Sequence, residues 1–491
     1  MSLGELGSST EKVNSADAIE KLVESRYEQW LSEKTIWHAA DLLSSAFVAD
    51  RSSSFTDVAQ FVIDNASQAP KSLVAFAEKI LSPYSAISHD SLTDSDSSEK
   101  LHEEMHALRA RLVDEPRNSI VWADLSRLYV ASGLSEKAAH SMRVAISLSP
   151  KNRFILRCAG RLYLHLHQPK VAVGLLRSDP GLTLSDPWLT AAEISIASAA
   201  ELPTRFAKKG FGIAEDEGFS NFARAELRSA LATLEMDSGK NRRARQLFRD
   251  SLISPNENSL AQVEWAERQL GGIQVQQQQL KTPRSFEARG YYAFNRESWD
   301  SAMDNGLQWL RDESFSTRPA LFTSYVAISV LERFDVAETV LRRALLANPG
   351  NPQILNNLAF ALIGANKLEE ARKTLHAVDP ATLKEKQHYT VTLLATNGQL
   401  LIREGFVDEG RKLYKEAYEL ASRLGLKKYR QFAAIYLMRE ELLANTSEVE
   451  RSMKVAQKEV GDNPDPDVLV VFNRALALYK IHSLRKTAVR G

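Results

Sequence analysis

The chain has 491 residues, 44% of them hydrophobic and 25% charged, which supplies a large core and excludes a wholly disordered polymer. Basic and acidic side chains number 62 each, so the zero formal charge argues against a general polyanion binder. A single cysteine, Cys158, rules out an internal disulfide or a multi-thiolate metal site; among apolar helix neighbours it reads as a buried, inert thiol.

Residues 1–14 are small and polar and are expected to be disordered. They show neither the basic nor the apolar region of a secretion signal, and nowhere do about 18 apolar residues run together as a membrane span would need. A soluble, cytoplasmic protein is the expectation. Residues 15–84 carry four apolar stripes at helical spacing: Ile19, Leu22, Val23, Tyr27 and Trp30; Ile36, Trp37, Ala40, Leu43 and Phe47; Phe55, Val58, Phe61 and Val62; and Leu73, Phe76, Ala77, Ile80 and Leu81. They predict a small helical domain. It is acidic, since residues 1–99 hold 16 acidic against 7 basic side chains. The stretch SAISHDSLTDSDSSEK, 85–100, reads as a flexible Ser/Asp linker.

Leu101, Met105, Leu108 and Leu112 predict a helix that closes at Pro116. From Pro116 to Pro150, a step of 34 residues, the chain spells out one unit. Trp122, Leu125 and Tyr129 mark a first helix, Gly133 a turn, and Ala138, Met142 and Ala145 a second helix. This W-x2-L-S-x2-Y…G…A-x3-M-x2-A…P order resembles the tetratricopeptide repeat, departing from it at Ser126, usually Gly, and Met142, usually Phe. The resemblance implies an all-α fold: an α-solenoid of helix–turn–helix, tetratricopeptide-like repeats behind the small N-terminal helical domain. Leu156, Gly160, Tyr163 and Ala172 continue the register, which SDPGLTLSDP at 178–187 breaks; Gly239, Ala244 and Phe248 restore it. A first array is thus expected over 101–270, a Gln-rich loop or break over 271–283, and a second array over 284–466. The spacing of Ala337, Leu341, Ala344 and Pro349 is the clearest of the second array. The terminal segment 467–491 predicts an apolar helix with a basic tail; its broad apolar face suits either folding back onto the array or pairing as a homodimer.

One string looks catalytic. His102-Glu103-Glu104-Met105-His106 matches H-E-x-x-H, which sets two imidazoles one turn apart for zinc with a glutamate to activate water. Its surroundings argue against a metal site at His102, Glu103 and His106. Glu104 places a charge where such helices bury an apolar residue, and the repeat that follows leaves no room for a protease domain. No phosphate loop, dinucleotide fingerprint or nucleophile elbow occurs. The chain reads as a non-enzyme without cofactors.

In tetratricopeptide arrays the first helices line the concave face, and their non-core positions touch the ligand. Carried onto this sequence, that pattern turns Asp124, Arg127, Arg157, Arg161 and His165 into the groove, then Tyr291, Phe322, Asn356, Asn357, Phe360 and Gln399. The arginines would suit an acidic peptide, since a guanidinium fork pairs with a carboxylate through two bonds; the competing reading has them in salt bridges within the array. Paired asparagines can grip a peptide main chain. The lysines of the family's clamp for chaperone tails are missing beside them, which disfavours that role. The expected function is a protein–protein scaffold or adaptor. A regulatory subunit of a partner protease or nuclease is the alternative, as is nucleic-acid binding through residues 100–180, with 13 basic and 7 acidic side chains. The charge split between the acidic N-terminal domain and the rest motivates a further hypothesis, that this domain folds over a basic groove until a partner displaces it.

Overall fold

The computed structural model describes residues 15–48, 54–81, 94–381 and 387–490, and every regular element among them is helical. Two compact units emerge, one ending at Ser91 and one starting at Leu92. Residues 1–14 lie outside the described residues, as does the first part of the 85–100 stretch. The second part of that stretch is already helix.

The first unit has four helices: α1 (Ser15–Ser32), α2 (Ile36–Val48), α3 (Thr56–Asp64) and α4 (Lys71–Leu81). Val23, Trp30, Leu42, Leu43, Phe55, Val58 and Val62 form its core, with Tyr27 stacked on Trp30 and Phe61 meeting it edge-on. Trp37 departs from expectation. It is 70% exposed, because α2 buries the face of Ile36, Ala39, Leu43 and Ala46, and Trp37 sits about 100° round the helix from Ile36.

The second unit opens with α5 (Asp94–Asp114), then α6 (Ser119–Ala131), α7 (Ser135–Leu148), α8 (Arg153–His165), α9 (Pro169–Arg177), α10 (Pro180–Leu184), α11 (Pro187–Ala199), α12 (Ala207–Glu215), α13 (Asn221–Asp237), α14 (Asn241–Ser251) and α15 (Glu257–Leu270). After a long loop follow α16 (Phe286–Asn295), α17 (Trp299–Asp312), α18 (Thr317–Tyr325) with a π-helical continuation Val326–Leu331, α19 (Phe334–Ala347), α20 (Pro352–Gly364) and α21 (Leu368–His376). The chain ends with α22 (Gln387–Arg403), α23 (Val407–Arg423), α24 (Lys427–Leu443), α25 (Val449–Val460) and α26 (Pro466–Arg490).

Two backbone markers set the period. First helices begin at side-chain caps: Asn118, Asn152, Asp186 and Ser220, each 34 residues after the last, accept hydrogen bonds from the first free N–H groups of α6, α8, α11 and α13. Each pair then reverses at a left-handed residue: Gly133, His167 and Glu201, again 34 apart, and later Glu332 and Asn366. The beat therefore passes through 178–187 without a break. There the chain only inserts the short α10 before the Asp186 cap. The identities at the turn vary, and a repeat defined by its glycine loses the trail.

Small side chains let the second helices sit close: Ala138, Ala172, Ala244, Ala302, Ala337, Ala371 and Ala417 are fully buried. The core is a row of neighbouring clusters, as expected where each pair packs mainly on the next. The Gln-rich stretch is structural. Ile273, Val275 and Leu280 are buried against Phe248, Leu260 and Val263, and Arg245 and Arg249 hold the carbonyls of Leu270, Gly271 and Gly272. This loop takes the place of a second helix behind α15.

The markers make a prediction. Asn152→Ala is expected to lower stability by about 1 kcal/mol through loss of the cap, and Glu201→Gly to raise it by about 1 kcal/mol by relieving the left-handed strain. Denaturant midpoints of the two variants check both signs.

Candidate binding groove

The first helices of successive pairs lie side by side (α6 on α8, α8 on α11, α11 on α13, α13 on α15), forming one inner layer. Arg127 and Asp124 stand on α6, and Arg157, Arg161 and His165 on α8, as the repeat register demands. What they meet there could not be read from that register.

Arg157 is occupied. Its Nη2 donates to both carboxylate oxygens of Glu226, at 2.7 and 2.8 Å, and its guanidinium stacks on Trp188 at 4.9 Å. Glu226, buried on α13, also accepts from the amides of Asn256 and Asn258 at 3.2 Å each. Arg161 donates to Asn258 Oδ1 at 3.3 Å. It stays open to solvent although protein surrounds it. Burial opposes its charge, but Glu313 and Glu226 outweigh that and raise its pKa. So the basic strip expected on α8 is largely neutralised from within, because the array curves until α13 and α15 face α8.

His165 has a distant partner as well. Its Nε2 lies 3.0 Å from the carbonyl oxygen of Ala347, and Phe315 meets its ring edge-on at 5.0 Å. Burial lowers its pKa, against the pull of that carbonyl. Nearby, Gly133 approaches the end of α19 so closely that a methyl group there would come 2.5 Å from the Leu346 carbonyl oxygen. Cys158 is half-buried, and burial pushes its thiol pKa up, which leaves it a poor nucleophile.

Near the contact of α6 with α19, Arg343 feels the like charges of Arg127 and Arg311, and none of the three forms an ion pair at contact distance among the described residues. Arg127 comes from α6, Arg311 from α17 and Arg343 from α19. Arg311 and Arg343 each lie one turn before a residue of the junction just described, Phe315 and Ala347. Burial, then repulsion from Arg311 and Arg127, holds the Arg343 guanidinium below its ordinary pKa, with Glu104 as the opposing charge. Asp124 faces Arg127, but burial raises its carboxyl pKa. Arg311 and Arg343 were invisible to the sequence pattern, which placed only first-helix positions in the groove.

In the second array the expected residues are packed rather than presented. Phe322 is buried between Gly290 and Gly306, with Tyr291 at 4.8 Å and Trp309 at 6.1 Å. Gln399 is buried and donates to Glu440, which also binds Arg403. Phe360 rests on Tyr436 at 5.0 Å. Asn356 is buried with Oδ1 lacking a partner, and Asn357, half-buried, donates to Ser324 Oγ at 3.4 Å. Beside them α26 closes the layer. Val468, Val471, Phe472 and Ala475 pack on Ile435 and Met438, and Asp467 binds Tyr325 and Lys428. Arg474 donates to the carbonyls of Ser329 and Val330, which the π-helical turn presents. The terminal helix thus folds back, burying Val468, Val471, Phe472 and Ala475 while Leu469 and Ile481 stay exposed.

His102, Glu103 and His106 lie on the exposed side of α5, while Leu101, Met105 and Leu112 face the core. Among the described residues no three His, Cys, Asp or Glu side chains gather as a metal site would require. No helix among them is long and apolar enough to cross a membrane.

Residues 331–395, spanning α19 to the start of α22, match the family model described as the tetratricopeptide repeat. The protein carries tetratricopeptide repeats. No curated protein matches the chain by sequence. Among solved structures, yeast Tom70 aligns at 14% identity and a TM-score of 0.30, over 81% of this chain and 95% of that one. A tetratricopeptide repeat protein from Parabacteroides merdae aligns at 13% identity and a TM-score of 0.26, over 64% and 98%. Nothing further rests on these two likenesses. Repeats of this family generally mediate contacts between proteins.

Glu287 makes stability depend on pH. Burial raises Glu287 to about 7, and Glu313 adds to this, against the opposing pull of Arg318 and Arg161. Folded protein keeps this proton above the ordinary value of 4.5 while unfolded chain releases it. The resulting stability is full below that value and is lost as pH rises through about 7. Melting temperature is expected to fall over this window, and Glu287→Gln to flatten the slope; Glu264, also raised to about 7 chiefly by burial, acts in the same direction.

Proposed function

We propose that this protein is a non-catalytic adaptor that holds an acidic segment of a partner protein against the inner layer of its first array. One observation carries the reading: Arg127, Arg311 and Arg343, from three helices, converge without a carboxylate at ion-pair distance among the described residues, whereas Arg157 is paired with Glu226. Guanidiniums crowded by like charge gain most from an incoming carboxylate, which relieves the repulsion and accepts bonds from two forks. Asp124 and Arg161 flank this point, and Asn357 lies further along as a donor to peptide carbonyls. Tyr291, Phe322, Phe360 and Gln399 support the surface from behind. A reducing, cytoplasmic setting fits a chain with one unpaired thiol.

A fluorescein-labelled peptide of alternating acidic and small residues tests this by anisotropy. Binding is expected to weaken as salt rises, and Arg127→Glu with Arg343→Glu to weaken it by about tenfold or more. Undiminished binding in that double variant would remove the site. Circular dichroism and melting temperature of the double variant serve as the folding control.

A further inference from the structure

A cavity of about 390 Å³ lies between α12, α13 and α14, walled by Phe211, Arg224, Arg228, Arg243, Gln246 and Leu247 among others. Its floor is unusual. Arg224 and Arg228, one turn apart on α13, are only 7% and 9% exposed. Arg224 donates to the Ala214 carbonyl at 3.5 Å and to Asn221 Oδ1 at 3.1 Å. Arg228 uses the same two acceptors, at 3.2 and 3.0 Å, and adds the Asp250 carbonyl at 3.1 Å. Sharing acceptors draws the two guanidiniums together, and neither has a carboxylate at ion-pair distance among the described residues. The Nε–H of Arg224 is buried with no acceptor at all.

The arrangement has a partial structural explanation. Ala214 and Asp250 end or nearly end α12 and α14, so the arginines cap the negative ends of two helices. The Asp250 carboxylate also acts on Arg228, yet burial and the charge of Arg224 still hold Arg228 below its ordinary pKa. Caps alone do not account for donors left over beside an open cavity, since burying a guanidinium with unused N–H groups is costly. Each fork matches an oxyanion in geometry. Two forks side by side offer more donors than one flat carboxylate accepts, and suit a tetrahedral anion better. Arg243, stacked on Phe211 at 4.1 Å, brings a third guanidinium to the mouth. Three carboxylates also belong to the lining: Glu215 and Glu217 are exposed, and Asp250, half-buried, accepts from Gln246 Nε2 at 2.9 Å.

We infer that this cavity binds a phosphate group, free or as a monoester, through Arg224 and Arg228, with Phe211 and Leu247 as the wall for an ester's apolar body. The site is independent of the groove and of the acidic partner proposed for it.

Calorimetry on the full chain in phosphate-free buffer provides the test, using inorganic phosphate, phenyl phosphate and acetate. Saturable binding of phosphate or phenyl phosphate, with acetate at least about tenfold weaker, is expected. Tighter phenyl phosphate identifies a monoester as the natural ligand, and tighter inorganic phosphate the free ion. Arg228→Gln should reduce affinity by about tenfold. Because Arg228 also caps α14, Gln246→Glu is the second variant. It leaves both arginines in place, replaces the Gln246 amide that donates to Asp250 with a second carboxylate on the cavity wall, and should weaken binding several-fold. Absence of saturation at millimolar concentrations, acetate binding as tightly as phosphate, or a Gln246→Glu variant that binds normally would each overturn the assignment.

Discussion

Everything in the second unit follows from one residue per pair being held at positive φ. A helix pair of this size cannot bury both apolar faces alone, so its two helices must reverse tightly and leave one face for the next pair. The left-handed residue after each first helix makes that reversal, and glycine fills it cheaply at Gly133 and Gly239. Where His167, Glu201, Glu332 or Asn366 stands there, strain of the order of 1 kcal/mol is carried at each turn. Where a side-chain cap starts the first helix, as at Asn118, Asn152, Asp186 and Ser220, it fixes where the following turn can fall. With those two positions set, the buried alanines, the inner layer and the charged side chains along it take their places.

Within that frame Glu226 is the residue that decides the electrostatics. One carboxylate on α13 gathers one guanidinium nitrogen from α8, held by both its oxygens, and two amides from the start of α15. The desolvation cost of so buried a charge is met only because all its partners are in place together. This hub ties three repeats, and it removes Arg157 from the surface that an incoming acidic chain could use. Recognition is thereby shifted toward the junction of α6 with α19, where the arginines lack such a partner.

The helices were legible in the sequence because amphipathic spacing survives even where the repeat motif decays. The N-terminal helices, the terminal helix and the pair at Pro116–Pro150 all fall near their expected limits. The helix beginning at Asp94 was hidden by its Ser/Asp composition, and Trp37 was assigned to the wrong face because its stripe admits two registers. The groove was harder. Periodicity states which side of a helix points inward, but not which helix it meets 69 or 182 residues away, as Arg157 and His165 do. A signal did exist at Glu226. Arg224, Glu226 and Arg228 are charges set into an otherwise Ala- and Leu-rich helix, ARAELRSALATLE, and charges in such a setting need partners.

The approach of Gly133 to Leu346 alters how this array should be thought of. A simple solenoid behaves as a one-dimensional chain of links, where unfolding can stop at any interface. Here a link near the beginning touches one more than two hundred residues later. That contact acts as a cross-tie in the ladder: fraying between the two points must break it as well as the local interfaces. The segment enclosed by the tie is therefore bound to open as a block, and the repeats beyond α19 are tied in the same way where α26 returns to Tyr325, Ser329 and Val330.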